Sequence, residues 1–203
     1  MSLDQGLRNR LTQLLSEVEC QSAPSPRLAA DARRLWARLG GFIAMRVAGE
    51  QADLDGLELA CYALQLPSRQ NRRLNLRERC EQAAELMVSL IGDEADEALL
   101  DRAARLLHEV PQKSPMLDDA RLLADAVNLE DFGLIGLFNH AILLSLAGEG
   151  IEGIIASAQK REQYAYWEAR LRDGFHYEPV REIARRRLEQ ARRVCKMLQD
   201  EIG

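Results

Sequence analysis

The chain has 203 residues and a net charge of −5, from 27 Lys and Arg against 32 Asp and Glu. That length accommodates one domain with a sizeable core, and the mild acidity gives no global argument for nucleic acid or an anionic membrane as partner. Four widely separated cysteines (Cys20, Cys61, Cys80, Cys195) form no metal spacing, no signal-peptide pattern opens the chain, and no apolar run reaches ~18 residues, so a reduced, cytoplasmic, soluble protein is expected.

Leu, Ala, Arg and Glu dominate, and few stretches alternate apolar with polar residues. The expected fold class is therefore all-α, in a single compact multi-helix domain. Residues 3–19 carry Leu7, Leu11, Leu14, Leu15 and Val18 at helical spacing, the stripe of an amphipathic helix placed at the periphery (1–21). Pro24 and Pro26 break it. A second helix, 27–48, turns Leu28, Leu35, Leu39, Phe42, Ile43 and Val47 inward and is weakened at Gly40 and Gly41. Asp53 is placed to cap a third, 54–66. Its string LDGLELACYALQL has so little polar face that the buried centre of the domain is its expected position. Pro67 ends it, and the basic cluster Arg69, Arg72, Arg73, Arg77 and Arg79 reads as a solvated connection.

Two amphipathic helices follow at 77–91 and 93–108, the first closed by Gly92. Pro111 and Pro115 interrupt the chain, and the next helix, around 116–127, is expected to run on to 146. Gly148 and Gly150 separate it from a helix over 151–172 that carries Tyr164, Tyr166 and Trp167 and stops at Gly174. A closing amphipathic helix over 177–203 opens at Glu178 and Pro179. Its apolar positions recur at three and four residues, and its other face is basic: Arg181, Arg185, Arg186, Arg192, Arg193 and Lys196.

The most distinctive stretch is 122–140, LLADAVNLEDFGLIGLFNH. An acid and amide cluster (Asp125, Asn128, Glu130, Asp131) runs into an apolar helix. Gly133 and Gly136 there leave a smooth strip that another backbone can approach closely. Two readings stand side by side: a polar pocket floor against a packed helical core, and a capped core helix with solvated acids.

Three strings in this order resemble the HD-domain superfamily of metal-dependent phosphohydrolases, in its small single-domain bacterial form. Residues 52–60, ADLDGLELA, resemble the start of the family helix that ends in a His-Asp doublet. Residues 125–136, DAVNLEDFGLIG, resemble the DADRLDxxGxxG motif, and 177–203 resemble the closing helix. The resemblance implies an HD-like helical bundle and a metal held by a His, the His-Asp doublet and a distant Asp, activating water for attack on phosphorus. Here the ligands are replaced. Leu64 and Gln65 stand at the doublet, the string LWARL around Trp36 lacks the first His, and Val127 stands at the ligand Asp when the motif is aligned on its glycines. Leucine has no lone pair, and glutamine is a poor neutral ligand for a divalent metal.

The implied function is non-catalytic: a regulatory, scaffolding or small-ligand-binding (including nucleotide-binding) pseudo-phosphohydrolase without a cofactor. Trp36, Leu64, Gln65 and Val127 mark the degenerate site. His108, Asp125, Asn128 and Glu130 are the ligand-binding candidates, the partner is a small molecule or a protein, and self-association stays open. One alternative is a phosphohydrolase with a divalent metal at a relocated site built from His108, Asp118, Asp119 and Asp125. Another is weak nucleic-acid binding through the basic last helix, against which Glu182 and Glu189 suggest ordinary helical ion pairing. Read blandly, His108 finishes a helix end, His140 is a hydrogen-bonded core histidine, His176 is a turn residue and Cys61 is core.

Overall fold

The computed structural model describes residues 3–20, 28–45, 47, 52–67 and 74–202, with the backbone alone for 18–20. All regular structure among them is helical: α1 (Gln5–Cys20), α2 (Leu28–Ala44), α3 (Leu54–Ala63), α4 (Leu76–Ile91), α5 (Glu97–Glu109), α6 (Asp118–Asn128), α7 (Gly133–Leu146), α8 (Ile151–Gln163), α9 (Tyr166–Asp173) and α10 (Glu178–Ile202). The all-α expectation holds. The proline break at 24–26 and Arg69, Arg72 and Arg73 lie outside the described residues. No single described helix is long and apolar enough to cross a membrane. The chain divides into two units, Met1–Ala124 and Asp125–Gly203, taken here in turn.

In the first unit α3 is the centre, as its composition predicts. Asp53 caps it by accepting the Gly56 N–H at 3.1 Å, and every residue from Gly56 to Ala63 is buried. Helices α2, α4 and α5 pack around it, and α1 lies against α2. One of the buried residues of α3 is a charge, Glu58. It is held by the Arg8 guanidinium in a two-pronged pair, Nε to Oε1 at 2.8 Å and Nη2 to Oε2 at 3.0 Å, and by the Leu3 N–H at 3.2 Å. Removing a carboxylate from water is costly unless its lone pairs are met this way. The same contact seats α1, whose Leu7, Leu11, Leu14 and Leu15 are buried. Helix α2 runs unbroken through Gly40 and Gly41. Helix α4 begins at a capping box of Asn75 and Glu78 and ends at Gly92. Helix α5 starts at Glu97 rather than 93 because Asp96 accepts the Leu99 N–H and sets the first turn there.

The second unit differs from the sequence expectation in two places. The helix through 122–140 does not run on: a 3-10 turn, Leu129–Asp131, is followed by Phe132 in extended backbone (φ −98°, ψ 140°), and α7 starts afresh at Gly133. The break sends Phe132 into the core, edge-on to Trp167 at 5.1 Å and to Phe175 at 5.2 Å between ring centres. The helix expected over 151–172 is also two helices. Ala165 sits in the left-handed region (φ 50°, ψ 34°) and separates α8 from α9. Nothing in its composition marks an alanine for that conformation, which costs about 1 kcal/mol without a glycine. Helix α10 packs against α7, α8 and α9.

Candidate functional site

In the first unit, the residues at which the resemblance would need metal ligands make structural contacts. Leu64 is buried at the end of α3, where its carbonyl accepts Arg79 Nε at 2.9 Å. The Gln65 side chain accepts Arg79 Nη2 at 3.2 Å. Leu64 and Gln65 thus anchor the first turns of α4. Trp36 is half-buried on α2. Asp119 accepts the Asp53 N–H at 2.9 Å, just ahead of α3, and burial raises its carboxyl above the usual range. Asp118 is exposed and paired with Arg121 at 2.8 Å. His108 is exposed at the end of α5.

The acid and amide cluster of the second unit is likewise occupied, and the hydrogen-bond partners of Asp125, Asn128 and Asp131 come from one stretch, 170–177. Asp125 is fully buried and accepts two backbone N–H groups, from His176 at 2.8 Å and Tyr177 at 3.0 Å. Burial pushes its carboxyl up to about 6, against the pull of those two N–H groups and of Arg181. Asn128 donates to the Gly174 carbonyl at 2.6 Å and accepts from Arg170 at 3.1 Å; Arg170 also reaches Asp131 at 2.7 Å. Together these side chains clamp the turn between α9 and α10. Val127 is half-buried beside them, while Ala126 is the fully buried neighbour. Glu130 faces Arg187, partly restoring the charge preference that burial removes from that guanidinium.

The two glycines act as their spacing suggests. Gly133 has φ +84°, and a Cβ there would lie 3.0 Å from Arg187 Cβ on α10. A Cβ on Gly136 would lie 2.0 Å from the Asp131 carbonyl oxygen, so the chain can fold back only over a bare Cα.

Behind the clamp, α7, α8, α9 and α10 enclose a half-open cavity of about 510 Å³. Its wall is mainly apolar, with Leu137, Ala158, Leu188, Ala191 and Cys195, and Trp167 closes one side. That is the size and character of a small-molecule site. His140 and Arg161 supply polar groups. Arg161 Nη2 lies 3.0 Å from His140 Nδ1, and His140 Nε2 lies 2.8 Å from Ser157 Oγ. A guanidinium only donates, so Nδ1 is the acceptor and the ring proton sits on Nε2, donating to the serine. Burial first, and then the Arg161 charge, lower the His140 pKa and keep the ring neutral. Arg161 also lies over the Tyr166 and Trp167 rings, 5.3 and 5.5 Å from their centres.

His140 was expected as a hydrogen-bonded core histidine; it is hydrogen-bonded, but on the cavity wall. Sequence reasoning passed over Arg161 and Trp167 as site residues, and placed Lys196 only on the basic face of the last helix. The aromatic run at 164–167 beside a basic pair was the available signal; the break at Ala165 falls inside it, and Trp167 meets the Phe132 ring. On α10 the interleaved glutamates do pair with arginines, Glu178 with Arg181, Glu182 with Arg185 and Glu189 with Arg192, at three residues rather than four. Among the described residues no three His, Cys, Asp or Glu side chains gather at metal-binding spacing. No family model, curated protein or solved structure matches the chain.

Proposed function

We propose that this protein is a non-catalytic small-molecule-binding protein, an HD-like chain without the family's metal site, whose ligand sits among α7, α8, α9 and α10. The observation that carries the reading is the apolar cavity of about 510 Å³ with the polar His140–Arg161 pair on its wall. The fate of the acids supports it. Asp119 and Asp125, the best-placed candidates for a relocated metal, spend carboxylate oxygens on backbone N–H groups. The HD-like component rests on the strings at 52–60, 125–136 and 177–203. Cys80 and Cys195 carry free thiols, which suits a reducing, cytoplasmic setting.

The test uses the fact that the chain has two tryptophans, Trp36 and Trp167. In a Trp36→Phe protein, the remaining Trp167 reports on the cavity. Titration with the neutral apolar dye N-phenyl-1-naphthylamine should give saturable, one-to-one energy transfer from Trp167. The variant Ala158→Phe, which fills the cavity from a half-buried position on α8, should abolish it. Unsaturable binding, or binding unchanged in Ala158→Phe, would refute the reading.

A further inference from the structure

The charges around the cavity are unequal in their commitments. Asp131 is satisfied by Arg170 at 2.7 Å. Glu162 is satisfied by Arg192, which spans Glu162, Glu168 and Glu189 at 2.7–2.9 Å. Two cations on the wall have no carboxylate within ion-pair distance among the described residues: Arg161, half-buried, and Lys196, exposed at the rim. One acid, Asp200 at the mouth, is similarly uncommitted. Arg161 and Lys196 are thus two unpaired cations against one unpaired acid, while the single charge of Arg192 is shared among three glutamates.

Arg161 is also held in place. Its Nη2 is tied to a histidine that burial, and then the arginine's own charge, keep neutral, and the guanidinium lies over two aromatic rings. The other donors of the fork have no acceptor among the described residues. An arginine prepared in this way, beside an apolar wall, matches a planar anion attached to an apolar body. A dianionic group would need more uncommitted positive charge than the wall offers and would meet Asp200.

We propose that the cavity takes an apolar monocarboxylate, with its carboxylate on Arg161, Lys196 assisting from the rim, and its hydrocarbon body against Leu137, Leu188 and Trp167. This rests on the reading of the cavity as a ligand site. Decanoate, decanol and acetate, used at pH 8 to displace N-phenyl-1-naphthylamine from the Trp36→Phe protein, separate the possibilities. Decanoate should bind at least about tenfold more tightly than decanol, the usual scale for a charge-assisted hydrogen bond. Acetate should not compete. In Arg161→Gln the decanoate-to-decanol ratio should fall to near one while decanol binding is kept. Equal binding of decanoate and decanol by the parent overturns the anion assignment and leaves the cavity reading standing. Failure of both to displace the dye overturns the apolar monocarboxylate assignment, while the cavity reading stands or falls with dye binding and its loss in Ala158→Phe. Competition by acetate as strong as by decanoate overturns the apolar body. Should Arg161→Gln lose decanol binding as well, the exposed Lys196→Gln decides. Decanoate should weaken by roughly threefold with decanol unchanged, and no weakening overturns the proposal.

Discussion

The carboxylate of Asp125 accepts the backbone N–H of His176 at 2.8 Å, across 51 residues of chain. With the Tyr177 N–H at 3.0 Å, this bond ties the end of α6 to the start of α10. An acid that reads in sequence as a catalytic or ligand candidate is thus a fastener for the turn between α9 and α10.

That fastener makes stability depend on pH in a defined direction. Asp125 has its carboxyl raised from 3.8 to about 6, chiefly by burial. The folded state then holds a proton that the unfolded chain has released. The group's favourable contribution is complete below about pH 4, fades as the pH rises, and is gone above about pH 6. The shift corresponds to about 3 kcal/mol. Asparagine cannot titrate, but its NH₂ would oppose one of the two backbone donors. Urea unfolding at pH 4 and pH 7 should show wild type losing about 2–3 kcal/mol relative to Asp125→Asn over that interval. A difference independent of pH would contradict this account.

The Arg8–Glu58 pair yields a second expectation. Glu58 is 1% exposed, so removing its cation strands a buried charge whose remaining hydrogen-bond partner among the described residues is the Leu3 N–H. Arg8→Ala should destabilise the protein by about 3 kcal/mol, whereas the double replacement Arg8→Met, Glu58→Leu should recover most of the loss. Chemical denaturation of the wild type, the single variant and the double variant measures both. A double variant as unstable as the single one would show that the pair is not the cause.

Gly136 and Ala165 should respond in opposite directions to exchanging glycine and alanine. A methyl group at Gly136 would lie 2.0 Å from the Asp131 carbonyl oxygen, and backbone must move to admit it. Gly136→Ala should therefore cost about 3 kcal/mol or more. At Ala165, with φ 50°, glycine relieves left-handed strain, and part of that gain is offset by a more flexible unfolded chain. Ala165→Gly should be neutral or stabilising by up to about 1 kcal/mol. Thermal melts of the two variants give the signs directly, and a clear loss at Ala165→Gly would refute the strain argument.

Much of the helical framework could be read from residue order. Asp53 as a cap, α3 as the buried centre, Gly92 and Gly174 as stops and Glu178 as the last helix start are local effects. Each depends on groups within a turn or two: a side chain reaching the next free N–H, an unbroken apolar string, a residue without a Cβ. The close approach at Gly133 and Gly136 was legible for the same reason, because a missing side chain permits it whatever comes near. The breaks at Phe132 and Ala165 were not legible. Phe132 leaves the helix to join Trp167 and Phe175, which lie 35 and 43 residues later in the chain.

The roles of the polar residues divide along the same line. Sequence by itself determined that 122–140 joins an acid and amide cluster to a glycine-spaced apolar helix. Only the tertiary structure decided what the cluster does. Asp125, Asn128 and Asp131 meet partners between 170 and 177, and Arg161, which has no carboxylate within ion-pair distance among the described residues, lies outside the cluster altogether. Whether a charged group is spent or available depends on which distant donors and acceptors folding brings within about 3 Å, and spacing along the chain carries no record of that.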